Sequence, residues 1–533
     1  MIFAEAPFPR DQIQLIPVML DELIGTNHTI RLLDELLGQL DWSVFEENYR
    51  IEDRGRPPIP PRVLTSAWVY AHFRRVRSSR ELEYQLNNNI EFMWLAHGHQ
   101  VDHSTLAKFR SSHAKEIKAI NRQLISKAKD LGIVKLATLY IDGTRIKANS
   151  SRHNTMTAAR ASKLLELVES QIDEYLASTK NEDAVDDHFD GEANGERLPD
   201  HLSTLEKRKA ELEAIRETCE RADQQRKKNG INPEKNPFQL PLADKDSRVM
   251  PNKEGGYAPN YTPVVGVESE FGLIVSTIII NSPTEQDCAI GILDAVESDF
   301  NAKIDEICAD TAYCTGSNIN EIEEVRGLDF YSPHRQSDHI THNPAVRDDP
   351  TQPVPESEWD QLPKNPSTKR FSSAAFIHDE EKNKLHCPMG RTMEQCDKET
   401  RTLSNGEEVV STRYQTDSCE GCAAIALCRT NVNAKAPRRV RRDQHATLRE
   451  QHRKKMDTPE AKAAYAGRFS AGERPFGQLK EGFGIRRFQS RGINSINSEL
   501  GLGQLAHNLL RMTNISKLIE AMRTSSTQTN ANR

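Results

Sequence analysis

The sequence predicts a multidomain α/β protein with an all-α N-terminal part and a small cysteine-rich insertion, and three observations carry that expectation. The chain has 533 residues, too many for one hydrophobic core. Between residues 134 and 345, short apolar, β-favouring runs alternate with helical periodicity in the order strand, hairpin, helix, strand, helix, strand. A mixed sheet with an antiparallel part and helices on its faces satisfies that order. Five of the nine cysteines crowd into residues 387–428, which sets that stretch apart.

Composition excludes several classes. Hydrophobic residues make up 36% of the chain, and the mean hydropathy is -0.67, polar for a globular protein yet enough to bury cores. No run approaches the roughly 18 apolar residues of a membrane span, and the amino terminus lacks the basic-then-apolar pattern of a signal peptide. A cytosolic protein is expected. Cysteines so few in so long a chain do not make a disulfide scaffold. The net charge of -7 argues against a uniformly basic nucleic-acid binder. That average hides segregation: residues 181–200 hold eight acids against one Arg, and residues 429–455 hold ten Lys/Arg against two acids. Such asymmetry suggests a local polyanion-binding surface.

Taken in order, residues 1–133 read as helical throughout. Leu20–Ile24 and Ile30–Leu40 carry apolar residues at three-to-four spacing, the proline-rich run at 57–61 marks a rigid loop, and a helix follows from Val63 to Val76. Ser78 and Glu81 have capping-box spacing, and Asp102-His103-Ser104-Thr105 opens a further helix. Short helices with Arg74, Arg75, Arg77, Lys108 and Arg110 fit a helix-turn-helix-like DNA-binding module, and they fit an all-α domain with ordinary solvated charges equally well. Residues 155–230 read as two charged helices protruding as a hairpin. Residues 345–372, rich in Pro, Asp and Ser, read as a linker, and the tail from Thr524 to Arg533 as disordered.

The chemistry centres on acids. Leu136–Asp142 is a buried-strand pattern ending on Asp142 with Gly143 behind it, and Lys303–Asp310 repeats the pattern, ending on Asp310. Open α/β sheets bind ligands where their strands end. A third acid is available from Glu473 at the start of a helix, where Lys480, seven residues on, shares its face. Three carboxylates at a sheet edge hold hard divalent cations such as Mg²⁺ (or Mn²⁺). Two such ions support in-line attack on a phosphodiester, with Lys480 docking the phosphate.

Tyr-Ile-Asp-Gly-Thr-Arg-Ile-Lys-Ala-Asn at 140–149, Ala-Asp-Thr-Ala-Tyr at 309–313 and Glu-Arg-Pro-Phe-Gly-Gln-Leu-Lys at 473–480 resemble the three acidic motifs of bacterial insertion-sequence DDE transposases. The resemblance is to the branch with an InsH-type helical N-terminal domain, and the stretches at 101–110, 486–492 and 506–509 extend it over nearly the whole chain. It implies an RNase H-like catalytic core with Asp142, Asp310 and Glu473 as metal ligands. It also implies that Tyr465, Arg468 and Lys480 contact DNA phosphates, although four residues separate Arg468 from Glu473 where the commonest pattern has three.

Cys387, Cys419, Cys422 and Cys428 have the spacing C-x31-C-x2-C-x5-C, with Cys396 left over. Four sulfurs on a unit too small and polar for a core of its own suggest a structural Zn²⁺, an iron–sulfur cluster uses the same ligand number, and free thiols are the plain alternative. Similar cysteine insertions in the resembled branch favour a metal. The basic tract that follows, Arg438, Arg439, Arg441 and Arg442 foremost, is expected to make sequence-independent, salt-sensitive DNA contacts.

The expected organisation is therefore a helical DNA-binding head (1–133), a first part of the RNase H-like core (134–345), a linker and cysteine-rich insertion (346–434), and a second part of the core with the basic tract and third acidic motif (435–523). The implied function is that of a DDE transposase which cleaves double-stranded DNA at its element's ends and joins the 3′-hydroxyls to target DNA, as a homodimer at the bacterial nucleoid in the cytoplasm. A nuclease with the same triad and a domesticated, non-catalytic DNA-binding protein are the alternatives.

Overall fold

A computed structural model describes residues 19–48, 57–183, 200–228, 230–334, 343–402, 406–433, 436–472 and 474–531. Its N-terminal part contains α1 (Thr29–Gly38), α2 (Pro61–Phe73), α3 (Ser79–Asn88), α4 (Ile90–Leu95), α5 (His103–Ser112) and α6 (Ala114–Asp130). Helix α2 starts with proline at its first position, where the missing amide would be unpaired anyway, and buries residues on every side, Trp68 completely. Asp102 caps α5 by accepting from the amides of Ser104 and Thr105. The expected capping box at α3 does not close: Ser78 makes no side-chain cap, and Glu81 instead accepts from Gln85 one turn on.

The central sheet is built from β1 (Thr138–Gly143), the short β2 (Ile146–Lys147), β5 (Arg248–Pro251), β6 (Tyr257–Glu268), β7 (Ile274–Ile280), β8 (Glu306–Ala309) and β9 (Asp329–Tyr331). The two-residue strands β3 (Thr155–Met156) and β4 (Leu240–Pro241) pair with each other beside it. Strand β6 lies antiparallel between β7 and β1, whereas β1, β8 and β9 run parallel. The hairpin β6–β7 and the helix α9 (Cys288–Phe300) stand where the alternating apolar runs put them. Helices α7 (Ala158–Asp183) and α8 (Asp200–Lys228) pack along each other and share a small apolar core around Leu165, Val168, Leu212 and Ile215.

The stretch read as a linker is packed. Val354, Leu362 and Phe371 are buried with Phe376, Leu385, Met393 and Tyr414 against the antiparallel sheet of β10 (Ile377–Asp379), β11 (Lys384–His386), β12 (Thr392–Thr402), β13 (Glu408–Gln415) and β14 (Arg439–Asp443). The cysteine unit thus has an apolar core, contrary to the sequence expectation, because the segments on both sides of its sulfurs contribute to it. After the four-residue α10 (Gly316–Ile319) and α11 (Ile425–Cys428) come α12 (Ala446–Met456), α13 (Pro459–Ala471), α14 (Arg474–Gly477) and α15 (Ile493–Ala531).

Helix α15 joins the halves of the molecule. Leu500, Leu505 and Leu509 belong to one continuous core that runs from Ile30 and Trp68 of the N-terminal helices to Val264 and Ile307 of the sheet. Asn508 donates to the carbonyl of Ile274 and to Asn121, and accepts from the amide of Ile274. The N-terminal helices therefore do not stand apart from the central sheet. Helix α15 also continues to Ala531, past the point where a disordered tail was expected, since extending a formed helix costs little per residue.

Candidate active site

Asp142 and Asp310 meet because of strand register. Ile141 on β1 pairs with Ala309 on the parallel β8, so the next residue on each strand is one of the two acids. Asp142 is buried and its carboxylate accepts from the amide of Gly143. Asp310 caps the turn that follows β8 by accepting from the amide of Ala312 at 2.8 Å. Ser332 at the end of β9 donates to the Asp310 carbonyl and fixes that turn from the other side. Glu473 lies outside the described residues, between Gly472 and Arg474.

Helix α13 lies close on β1. A Cβ on Gly467 would fall 2.6 Å from the Tyr140 hydroxyl, so glycine there allows the close approach, and one on Gly472 would be a tight 3.2 Å from the Tyr140 Cβ. That approach brings Arg468 to Asp142 at 3.0 Å, with side chains only 6% and 11% exposed. Tyr465 is half-buried beside Arg468, and burial pushes its hydroxyl pKa up. Lys480 donates to the Thr144 hydroxyl at 2.6 Å, two residues past Asp142. Burial and the neighbouring Lys253 pull the Lys480 pKa down, and Lys253 itself donates to the Gly143 carbonyl. For Asp142, burial pushes the carboxyl pKa up and outweighs the pull of Arg468 and Lys253.

One group at this edge escapes the sequence reading, and a second lies in a motif that assigned it no role. Glu285, just ahead of α9, sits against Gly143, where an added Cβ would collide with its carboxylate. Burial, then Asp310 and Asp142, push it up to about 7. Tyr313 is fully buried and its hydroxyl has no hydrogen-bond partner among the described residues. Glu285 belongs to no motif and reaches this edge only through the order of strands in the sheet, whereas Tyr313 closes the motif at 309–313.

Cys387, Cys422 and Cys428 pack against the apolar core of the cysteine unit. Cys387 follows β11, Cys419 and Cys422 lie on a turn, and Cys428 ends α11. Burial pushes the Cys428 thiol up to about 11, and the charges of Cys387, Cys419 and Cys422 reach it. No disulfide joins them. A second set was not foreseen: the ligand atoms of Cys314, His334 and His452 all lie within 4.8 Å of one another. Both ring nitrogens of His452 already face oxygen acceptors, Glu323 on one side and the Ser332 carbonyl at 3.0 Å on the other. An ion there would have to displace that carbonyl bond.

The arginines of the basic tract divide by strand alternation. Arg439 and Arg441 share the exposed face of β14, with Arg439 donating to Gln415. Arg442, on the opposite face, is paired with Glu450. Arg438 points inward: it stacks on Phe376 and donates to the carbonyls of Cys428 and Phe371, so its guanidinium is spent on holding the cysteine unit. Arg77 and Arg110, read from sequence as exposed, are largely buried around Glu499 of α15, with Arg77 bonded to it at 2.5 Å.

Two family models match the chain. Residues 386–513 match a transposase DDE domain, and residues 18–112 match a transposase domain (DUF772). The first range contains the cysteines, Tyr465, Arg468, Glu473 and Lys480, while Asp142 and Asp310 lie outside it. No curated protein matches the chain, and no solved structure does. No described helix is long and apolar enough to cross a membrane.

Proposed function

The chain belongs to the insertion-sequence DDE transposases, and from that premise we propose that it cuts double-stranded DNA at its element's ends and joins the freed 3′-hydroxyls to target DNA. The observation that carries this reading is the register that sets Asp142 beside Asp310 at the ends of parallel neighbours β1 and β8. The strand order β7-β6-β1-β8-β9, antiparallel on one side of β1 and parallel on the other, supports an RNase H-like core.

The donor set fits a hard cation: Asp142 and Asp310, with Glu473 as the third ligand, are the carboxylates that Mg²⁺ or Mn²⁺ takes. Bound there, such ions supply activation of the attacking oxygen and charge stabilisation at the leaving oxygen. The chain's own residues do the rest. Lys480, held at Thr144, and Arg468, held at Asp142, stand where a phosphate would dock, and Tyr465 flanks them. In cleavage, water attacks the phosphodiester and a 3′-hydroxyl leaves. In joining, that hydroxyl attacks a target phosphodiester, a new 3′-O–P bond forms, the target's own 3′-oxygen leaves, and the attacking proton passes to solvent.

Arg439 and Arg441 extend the DNA contact, Cys387, Cys419, Cys422 and Cys428 hold a structural Zn²⁺, and two copies hold the two ends, in cytoplasm at the nucleoid. The test is Mg²⁺-dependent cleavage and joining of a labelled duplex carrying the element's flanking DNA. Joined products from wild type, absent in Asp142→Ala and Asp310→Ala while DNA binding persists, support the reading. Nicks without joined products point to a nuclease, and binding without any cleavage to a non-catalytic DNA-binding protein.

A further inference from the structure

Cys314, His334 and His452 come from three separate stretches of chain, and their ligand atoms all lie within 4.8 Å of one another. Cys314 ends the turn that Asp310 caps, His334 lies just past the end of β9, and His452 is fully buried on α12. Helix α12 comes this close because residue 316 is glycine, where an added Cβ would fall 2.5 Å from the Cβ of His445. Cys314 Sγ and His334 Nδ1 are 3.5 Å apart. A tetrahedral zinc ion, with Zn–S of about 2.3 Å and Zn–N of about 2.0 Å, spaces its sulfur and nitrogen ligands about 3.5 Å apart. Packing for stability accounts for one buried histidine, but it gives no reason for a thiol and a second imidazole to gather beside it.

A second observation points to an ion. His452 Nδ1 faces the Glu323 carboxylate at 3.2 Å, and Nε2 faces the Ser332 carbonyl at 3.0 Å. A neutral imidazole has one N–H and serves only one of two such acceptors. Lys455 donates to Glu323 at 2.8 Å and already offsets its charge, so the ring is not needed there as a second cation. With its proton on Nδ1 toward Glu323, His452 keeps a lone pair on Nε2 for a metal. A carboxylate behind a ligating imidazole is the usual device that orients such a ring. Thiolate and imidazole together suit zinc rather than the hard cations that carboxylates hold.

We propose that Cys314, His334 and His452 hold a Zn²⁺ ion through the Cys314 sulfur, a ring nitrogen of His334 and Nε2 of His452, with water in the fourth position. On binding, the Cys314 thiol gives its proton to solvent, and Nε2 exchanges the Ser332 carbonyl for the ion. The Ser332 hydroxyl donates to the Asp310 carbonyl, so the ion ties α12 to both chain segments that frame the Asp310 turn. The site uses none of the sulfurs of the cysteine unit, and it stands whether or not Asp142 and Asp310 bind a cation.

The test is the zinc content of the full-length protein after gel filtration, read by mass spectrometry of the metal, with circular dichroism to confirm folding. Cys314→Ser and His334→Ala are each expected to carry about one zinc ion fewer per chain than wild type. Each count is a difference from wild type, so zinc at the cysteine unit cancels. His334→Cys, which offers a thiolate in place of the ring, is expected to keep the ion, a rescue that a merely structural role of His334 would not give. With Co²⁺ in place of zinc, Cys314→Ser is expected to lose part of the sulfur-to-cobalt charge-transfer absorption. Wild-type zinc content in both Cys314→Ser and His334→Ala overturns the proposal. A zinc loss in His334→Ala that His334→Cys repeats overturns it also, since the ring would then act through packing and not as a ligand.

Discussion

At the scale of single residues, the account turns on charges that must be balanced where water is excluded. Glu499 is fully buried on α15. Burial alone would push its carboxyl pKa up, but the guanidinium groups of Arg77 and Arg110 and the amides of Gln489 and Ser490 hold it below the usual carboxylate range. A depressed carboxyl contributes stability that is present above the ordinary pKa of about 4.3 and is lost as pH falls through the lower folded value. Glu499→Gln is therefore expected to be clearly less stable than wild type at pH 7, with the difference shrinking in acid. Urea melts of both proteins across that range check it. Arg77→Met, which removes the guanidinium bonded to this buried acid, is expected to cost about 3–5 kcal/mol. These arginines looked like surface charges in the sequence because their partner lies 422 residues further on than Arg77. By contrast, the place of Asp142 and Asp310 at strand ends was legible, since an acid that ends an apolar run is a local signal.

At the scale of elements, alternation along β14 separates arginines that a composition count lumps together. Arg439 and Arg441 share its exposed face, while Arg438 serves the cysteine unit. Replacing Arg439 or Arg441 with Ala is expected to reduce the slope of log affinity for DNA against log salt by about one each, uniformly across sequences. Arg438→Ala is expected to leave that slope alone and to destabilise the cysteine unit instead. Fluorescence titrations at several salt concentrations separate the two outcomes. The strands and helices of the central sheet were legible from periodicity, as β6, β7 and α9 illustrate. Their neighbours were not: that β1 lies between β6 and β8 is a long-range fact, and so is the arrival of Glu285 at Gly143. The residues from 345 to 372 misled for a different reason. Their Pro, Asp and Ser content masks Val354, Leu362 and Phe371, each buried singly at wide spacing.

At the scale of the whole molecule, the continuous core through α15 ties the N-terminal helices to the central sheet, while the cysteine unit has a separate core. Calorimetry is expected to resolve two transitions. Leu505→Ala, at a fully buried position, should weaken the larger by about 2–5 kcal/mol and leave the other in place. Cys422→Ser should move only the smaller. A single transition shifted by both variants would show that the cores unfold together.

The central claim is that Asp142 and Asp310 hold the ion that carries phosphoryl transfer. The most direct measurement replaces Asp310 with Cys and follows joined products in Mg²⁺ and in Mn²⁺. A thiolate suits the softer Mn²⁺ far better than Mg²⁺. The account predicts no joining in Mg²⁺ and its partial return in Mn²⁺, with DNA binding unchanged. Wild-type joining by Asp310→Cys in Mg²⁺ would contradict it, because the residue would then be no ligand of the ion.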